Sequence, residues 1–182
     1  MTIKHDLEMK QNIADNVAQR MLLAARTAPK ARGKDTLIAA TADKAGRTAI
    51  ATHMRRMVDE NRAAPFFLRD ADNLEAADAL VLLGTDIDPM LLDNCGLCGF
   101  ANCEEKLEHP NHPCAFNTGD LGIALGSAVS VAMDARIDNR IMFSIGMAVR
   151  DMELLGKTAK IVYGIPLAIG GRNPFFDRKP KK

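Results

Sequence analysis

Four cysteines are the residues whose type and spacing could do chemistry in this chain. They follow the pattern Cys95-x2-Cys98-x4-Cys103-x10-Cys114, and the chain has no other cysteine. Four thiolates from one short segment can surround a single metal centre. A gap of two residues lets one turn bring the first two thiols to the same side, and glycines after both permit turns that aim backbone N–H groups at cluster sulfurs.

Three interpretations of these cysteines stay open. A 4Fe–4S cluster is favoured, because sets of four cysteines are its usual ligands. Structural zinc is the first alternative, although four-cysteine zinc sites normally pair two Cys-x2-Cys knuckles and this chain has one. Reduced cysteines, or an adventitious disulfide, are the second alternative. His109 and His112 lie in the same stretch and could bind zinc, but exposed loop histidines are the expected role.

The charge distribution adds a second clue to the cysteine-rich stretch. The formal net charge of the chain is +1, yet five acids and one base lie between Asp93 and Asp120, a local charge of −4. Such a segment is solvated by default. Its functional interpretation is a docking face for a basic redox partner protein, which would act mainly on the encounter rate.

Composition bounds the class of protein. The 182 residues, 47% hydrophobic and 26% charged, predict one globular domain over 1–182 that contains a cysteine-rich cluster-binding segment over 93–120. The near-neutral charge argues against a nucleic-acid binder, and no apolar run is long enough to cross a membrane. The polar start lacks a secretory signal, so we expect a cytoplasmic protein whose cysteines are reduced.

Helices and strands of an α+β or α/β domain must position the cysteines. Apolar periodicity predicts helices over 13–26, 44–60, 118–135 and from 138 or 139 to 155, and strands over 36–40, 77–83 and 161–165. Residues 63–67 are expected to be a connector interrupted by proline, and residues 73–76 are expected to form one helical turn. Small residues at Gly122, Gly126 and Ser130 predict close packing of that helix against another, which could belong to a second copy in a homodimer.

Four stretches of sequence carry a resemblance to a known family. They are CGLCGFANCEEK (95–106), HPCAFNTGDLGIALGSAVS (112–130), DNRIMFSIGMAVRDMELL (138–155) and GIPLAIGGRNPFFDR (164–178). Together they resemble an uncharacterised prokaryotic family of ferredoxin-domain proteins, and the similarity covers nearly the whole chain. The resemblance implies an iron–sulfur protein whose ligands are Cys95, Cys98, Cys103 and Cys114.

A weaker resemblance concerns the fold. The stretch AARTAPKARG (24–33) resembles the flavin-contacting loop of nitroreductases, and the helix at 120–135 and the Gly-Ile-Pro exit at 164–166 are also similar. This implies a nitroreductase-like α+β fold with three layers, helices around a small sheet, and a cysteine-rich insertion. It also implies a homodimer with FMN at the interface. The implied flavin contacts are Arg26, Lys30, Arg32 and Arg178.

These observations predict a cytoplasmic iron–sulfur protein that transfers electrons through one 4Fe–4S cluster, with a flavin as a candidate electron acceptor. The alternatives are a zinc-stabilised interaction module without enzyme activity and an FMN-dependent reductase whose cluster is structural. Whether the protein is an oxidoreductase acting on its own substrate stays open at this stage.

Overall fold

The computed structural model describes residues 3–177 and contains helices on both faces of a small sheet. Its helices are α1 (Asp6–Thr27), α2 (Lys44–Asp59), α3 (Phe66–Glu75), α4 (Cys103–Leu107), α5 (Ala115–Asp134) and α6 (Phe143–Asp151). Its strands are β1 (Leu37–Ala42), β2 (Ala79–Thr85), β3 (Asp138–Asn139) and β4 (Ile161–Ala168). Arg178, one of the predicted flavin contacts, lies outside the described residues.

The sheet has the order β1-β2-β4-β3, and all neighbouring strands are antiparallel. The register pairs Leu37 with Thr85 and Thr85 with Ile161. The start of β1, the end of β2 and the start of β4 therefore lie at one end of the sheet. The chain leaves β2 at this end and enters the cysteine-rich segment there.

Two hydrophobic cores, one on each face of the sheet, give the molecule three layers. Along the fully buried β2, Val81 and Leu83 face the core formed with α1 and α5, while Leu80 and Leu82 face the core formed with α2, α3 and α6. Alternation of this kind is what a strand covered on both faces requires. The predicted α+β fold class with three layers is confirmed.

Helix α6 lies unusually close to the sheet. A Cβ atom at Gly146 would collide with the carbonyl of Val162 on β4, and a Cβ at Gly164 would collide with the side chain of Ile145. Gly146 thus lets the helix approach the backbone of β4, and Gly164 leaves room for the side chain of Ile145. The short distance between α6 and β4 therefore depends on these two glycines.

Two segments differ from the sequence-based prediction. The ten-residue helix α3 includes the end of the connector expected over 63–67 and most of the helical turn expected over 73–76, and it begins directly after Pro65, a residue suited to a helix start. The helix expected from 138 or 139 begins at Phe143 instead, because Asp138 and Asn139 pair with Ala168 and Leu167 at the sheet edge. Tertiary strand pairing overrides the local helical pattern there.

Between residues 3 and 177, no helix combines the length and the apolar character needed to cross a bilayer.

Candidate metal centre

In the structure the cysteine-rich segment is the whole connection between β2 and α5, residues 86–114, and α4 is the helix within it. Its beginning is fastened to α5 by Asn117, whose side chain is fully buried. The Asn117 amide accepts from the Asp88 N–H at 2.9 Å and donates to the Asp88 carbonyl at 3.0 Å. These two hydrogen bonds satisfy the backbone N–H and the backbone carbonyl of Asp88. The start of the segment therefore has a fixed position relative to α5.

A second set of contacts joins the segment to the loop that follows α1. The buried carboxylate of Asp120 on α5 accepts from the Ala31 N–H, with distances of 3.0 and 3.2 Å to its two oxygens. Arg32 donates to the Met90 carbonyl at 3.2 Å, and Lys34 forms an ion pair with Asp88 at 2.6 Å. Helix α5 thus positions both neighbouring loops.

Cys95 and Cys98 lie on a tight turn, and both are partly buried free thiols. The Gly99 N–H donates to the Gly96 carbonyl at 2.9 Å, which closes the turn around Cys98. Gly99 has a φ of +90°, a conformation that glycine adopts without strain. The glycine that follows Cys98 is therefore needed for the turn.

Cys103 is the first residue of α4, and its partly buried thiol contacts the Leu92 carbonyl at 3.8 Å. The helix is capped by Asn102, whose side chain accepts from the Glu105 N–H at 2.9 Å. Glu105 in turn accepts from the Ala101 N–H at 2.7 Å. These reciprocal bonds fix the backbone around Cys103.

Cys114 is the N-cap of α5, and only 5% of its surface is exposed. Because α5 also contributes to the core beside α1, Cys114 is the cysteine most firmly joined to the body of the molecule.

Lys106 is buried inside the same segment, with 2% of its surface exposed. Its ammonium group donates to the His109 carbonyl at 3.4 Å, and no carboxylate among residues 3–177 forms an ion pair with it. It lies three residues after Cys103 on α4, and residues at this spacing share a helix face. A buried cation without an anionic partner therefore lies beside one of the cysteines.

Three rings hold the second half of the segment together. Phe100 stacks on His109 with ring centroids 4.9 Å apart, and His112 meets both rings edge-on. These ring contacts join the residues before α4 to the residues after it. The two histidines are exposed and take part in ring packing, in agreement with the expected loop role.

The four thiols are not gathered into a closed cage. All four are free cysteines, and within residues 3–177 no three His, Cys, Asp or Glu side chains are grouped so that they could hold a metal ion. The donor set nevertheless has the chemistry of an iron–sulfur or zinc site, because soft thiolates select these centres. The assignment of the cysteines as ligands stays a prediction.

The predicted flavin contacts near the Ala-Pro loop are engaged within the chain. Lys30 donates to three carbonyls at the end of α1, those of Ala25, Arg26 and Ala28, at 2.6 to 2.9 Å. Arg26 contacts Asp35 at 2.6 Å. Burial alone would raise the pKa of Asp35, but the hydrogen bonds from Arg26 and the Leu37 N–H hold it below its usual value. Lys30 and Arg26 therefore stabilise the loop itself.

Sequence reasoning missed three residues of this site. Lys106 was counted only as one positive charge, and the roles of Asn117 and Asp120 depend on loops that the fold brings to them. A polar residue in the first turns of an otherwise apolar helix was the available signal for Asn117 and Asp120. For the burial of Lys106, a single sequence contains no such signal.

Comparison with known proteins identifies the family. A family model described as an uncharacterized protein containing a ferredoxin domain (DUF2148) matches residues 111–178. A protein from Archaeoglobus fulgidus is 40% identical over 171 residues, which cover 89% of this chain and 90% of that one. The chain belongs to this ferredoxin-domain family. The resemblance noted in the sequence is thereby confirmed.

Solved structures show the same fold at low identity. The FMN-dependent nitroreductase NfnB from Mycobacterium smegmatis, in complex with NADPH, matches with a TM-score of 0.61 at 14% identity, over 92% of this chain and 84% of that one. A BluB-like flavoprotein from Clostridium difficile matches with a TM-score of 0.59 at 16% identity, with the same coverage. The hypothetical oxidoreductase YcnD from Bacillus subtilis gives a TM-score of 0.55 at 16% identity over 92% of this chain, which spans 61% of YcnD. This member of the ferredoxin-domain family thus has a nitroreductase-like fold.

Proposed function

We propose that the protein is a cytoplasmic redox protein that holds one 4Fe–4S cluster on Cys95, Cys98, Cys103 and Cys114. When bound, the cluster supplies one-electron transfer. The observation that carries the proposal is the buried side chain of Lys106, which lies three residues after Cys103 on α4 and has no carboxylate partner within residues 3–177.

The burial of Lys106 favours an anionic occupant of the segment. Removing an ammonium ion from water costs several kcal/mol unless a negative charge compensates it. A centre with four thiolate ligands carries net negative charge and would supply that compensation. Because Lys106 and Cys103 share a face of α4, the positive charge lies on the side from which Cys103 would bind.

The helices prepare two of the four ligands. Cys103 is the first residue of α4 and Cys114 is the N-cap of α5, so a helix fixes the backbone position of each. Cys95 and Cys98 lie on the turn closed by Gly96 and Gly99, which allows them to approach together. Binding would draw these stretches around the centre, so part of the binding free energy would go into ordering the segment.

Anaerobic purification with analysis of iron and acid-labile sulfide tests the proposal. We expect both elements, together with a visible absorption band that dithionite bleaches. Cys114→Ser should lower the iron and sulfide content, while Ser130→Ala, on the same helix but away from the cysteines, should leave it unchanged. Colourless protein that holds zinc and no acid-labile sulfide would identify the zinc-stabilised interaction module instead.

We also propose, as the second candidate, an FMN-dependent reductase in which the cluster is structural. The fold shared with an FMN-dependent nitroreductase supports it. Flavin binding near Arg26, Lys30 and Arg32 would require Lys30 to leave its three carbonyl partners. Purification of yellow protein, or quenching of flavin fluorescence on titration with FMN, would favour this candidate. An Arg32→Gln variant should then bind FMN more weakly.

Two partner interactions belong to the same proposal. The first is a homodimer through α5, because a Cβ atom at Gly119, Gly122 or Gly126 would meet nothing within 4 Å in the monomer. The second is a basic redox partner protein. The acids Asp93, Glu104, Glu105 and Glu108 are exposed, whereas Lys106 is buried, so the surface of the segment is uniformly acidic.

A further inference from the structure

A cavity of about 590 Å³ lies between the cysteine-rich segment and the connection from α6 to β4. Asn111 and Pro113 line it from the segment. Arg150, Lys157 and Lys160 line it from the connection. A volume of this size is typical of sites for small molecules.

The charges around this cavity are unbalanced. Among the described residues, Arg150, Lys157 and Lys160 have no ion pair and no side-chain hydrogen bond. Two acids, Asp151 and Glu153, also line the cavity. Asp151 already binds Arg62 at 3.0 Å and His53 at 2.6 Å. Three cations therefore face the cavity against one uncommitted acid.

The cavity continues into an apolar end. A smaller cavity of about 160 Å³ shares Arg150 and Lys160 with it and extends to Phe143 and Met147. About half of the Phe143 surface is exposed. The combined groove has cations along one part and an aromatic ring at the far part.

We infer that this groove binds a small organic phosphate, with the phosphate at Arg150, Lys157 and Lys160 and the apolar body toward Phe143. A guanidinium group offers paired N–H donors to phosphate oxygens, and ammonium groups add charge from other directions. A doubly charged oxyanion would neutralise the excess positive charge of the groove. The site is distinct from the cysteines, although Pro113 directly precedes Cys114, so a bound ligand would lie beside the proposed cluster segment.

Titration calorimetry on the full chain tests the inference with two probes, inorganic phosphate and phenyl phosphate. We expect phenyl phosphate to bind more tightly, because its ring adds apolar contact. Lys157→Gln and Lys160→Gln should each weaken both probes by about tenfold, the loss expected for one charge-assisted hydrogen bond. Lys44→Gln, which removes an exposed cation on α2, is the matched control and should change neither affinity.

Phe143→Leu separates the two parts of the groove. It keeps apolar volume near Phe67 but removes the ring, so it should reduce the advantage of phenyl phosphate and leave inorganic phosphate unchanged. Absence of binding to the unmodified protein would overturn the inference. Equal weakening by Lys44→Gln would also overturn it, because binding would then be a general charge effect. Calorimetry does not depend on electron transfer, so the result stands apart from the question of the cluster.

Discussion

His53 on α2 and Asp151 at the end of α6 lie 2.6 Å apart, from the imidazole Nε2 to the carboxylate Oδ2. Arg56 approaches the other ring nitrogen, Nδ1, at 2.7 Å. A guanidinium group can only donate, so Nδ1 accepts and Nε2 carries the proton given to Asp151. Arg62 contacts both oxygens of Asp151 at 3.0 Å, and the group links α2 to α6 on the face opposite α1 and α5.

This linkage predicts a loss of stability in acid. Hydrogen bonds from Arg62 and then from His53 hold the pKa of Asp151 below its usual value of 3.8, against the smaller opposing effect of burial. Because the pKa is lower in the folded chain than in the unfolded chain, the contribution is present above the unfolded value and is lost as the pH falls through the folded value. Asp151→Asn should therefore cost up to about 1 kcal/mol at neutral pH, since solvent screens a partly exposed pair.

Urea unfolding at neutral pH and in acid measures the effect of Asp151→Asn. The difference from the unmodified protein should shrink once the pH is below 3.8. Asp134→Asn is the control, because Asp134 is exposed and has no ion pair within residues 3–177. A stability difference that grows on acidification would contradict the prediction.

Lys106→Met tests the role of the buried ammonium group in two states of the protein. Without a metal centre, the variant should unfold at a urea concentration equal to or higher than that of the unmodified protein, because it has no buried charge at position 106. With the cluster present, loss of the positive charge should lower its midpoint potential by several tens of millivolts, since the reduced form carries the greater negative charge.

Lys106→Arg is the conservative comparison. Because it keeps the positive charge, its cluster should have a midpoint potential close to that of the unmodified protein. Redox titration followed by electron paramagnetic resonance measures both variants. A midpoint potential unchanged by Lys106→Met would show that the ammonium group does not act on the centre.

Asn117→Ala should loosen the entry to the cysteine-rich segment. The change leaves the N–H and carbonyl of Asp88 without their partners, at a cost of about 2 kcal/mol. Hydrogen exchange followed by mass spectrometry should show faster exchange around 86–90, while α2 is unaffected. Asn111→Ala, at an exposed position of the same segment, is the control. Unchanged exchange at Asp88 would argue against a fastening role for Asn117.

Gly126→Leu tests the proposed dimer face of α5. A side chain at this position meets nothing within 4 Å in the monomer, so the fold should be retained. The added bulk should keep a second copy from approaching and shift the mass measured by light scattering from dimer to monomer. Ala49→Leu, an exposed position on α2, should leave the mass unchanged. A dimer that survives Gly126→Leu must use another surface.

Strong local patterns made most of the fold predictable. The helix over 44–60 has a capping residue, Asp43, whose carboxylate accepts from the Gly46 N–H at 2.7 Å, and it is observed as Lys44–Asp59. The apolar run that predicted a strand over 77–83 is observed as β2 over Ala79–Thr85. In both cases the local pattern and the tertiary environment favour the same structure.

The remainder depends on contacts between distant residues. Asp138 and Asn139 look like a helix cap in sequence, but they form β3 because β4 offers an unpaired edge. Lys30 is predicted as a flavin contact, yet it binds carbonyls at the end of the helix that precedes it. Side chains such as these choose partners that become neighbours only after folding, which a single sequence does not reveal.

Because Cys114 is part of α5, it is held more firmly by the core of the protein than the other three cysteines. Cys114 belongs to a helix that is built into the core, whereas Cys95, Cys98 and Cys103 lie on the connection that precedes this helix. A centre bound by all four cysteines would therefore link that connection to α5 and, through Asn117 and Asp120, to both loops at that end of the sheet.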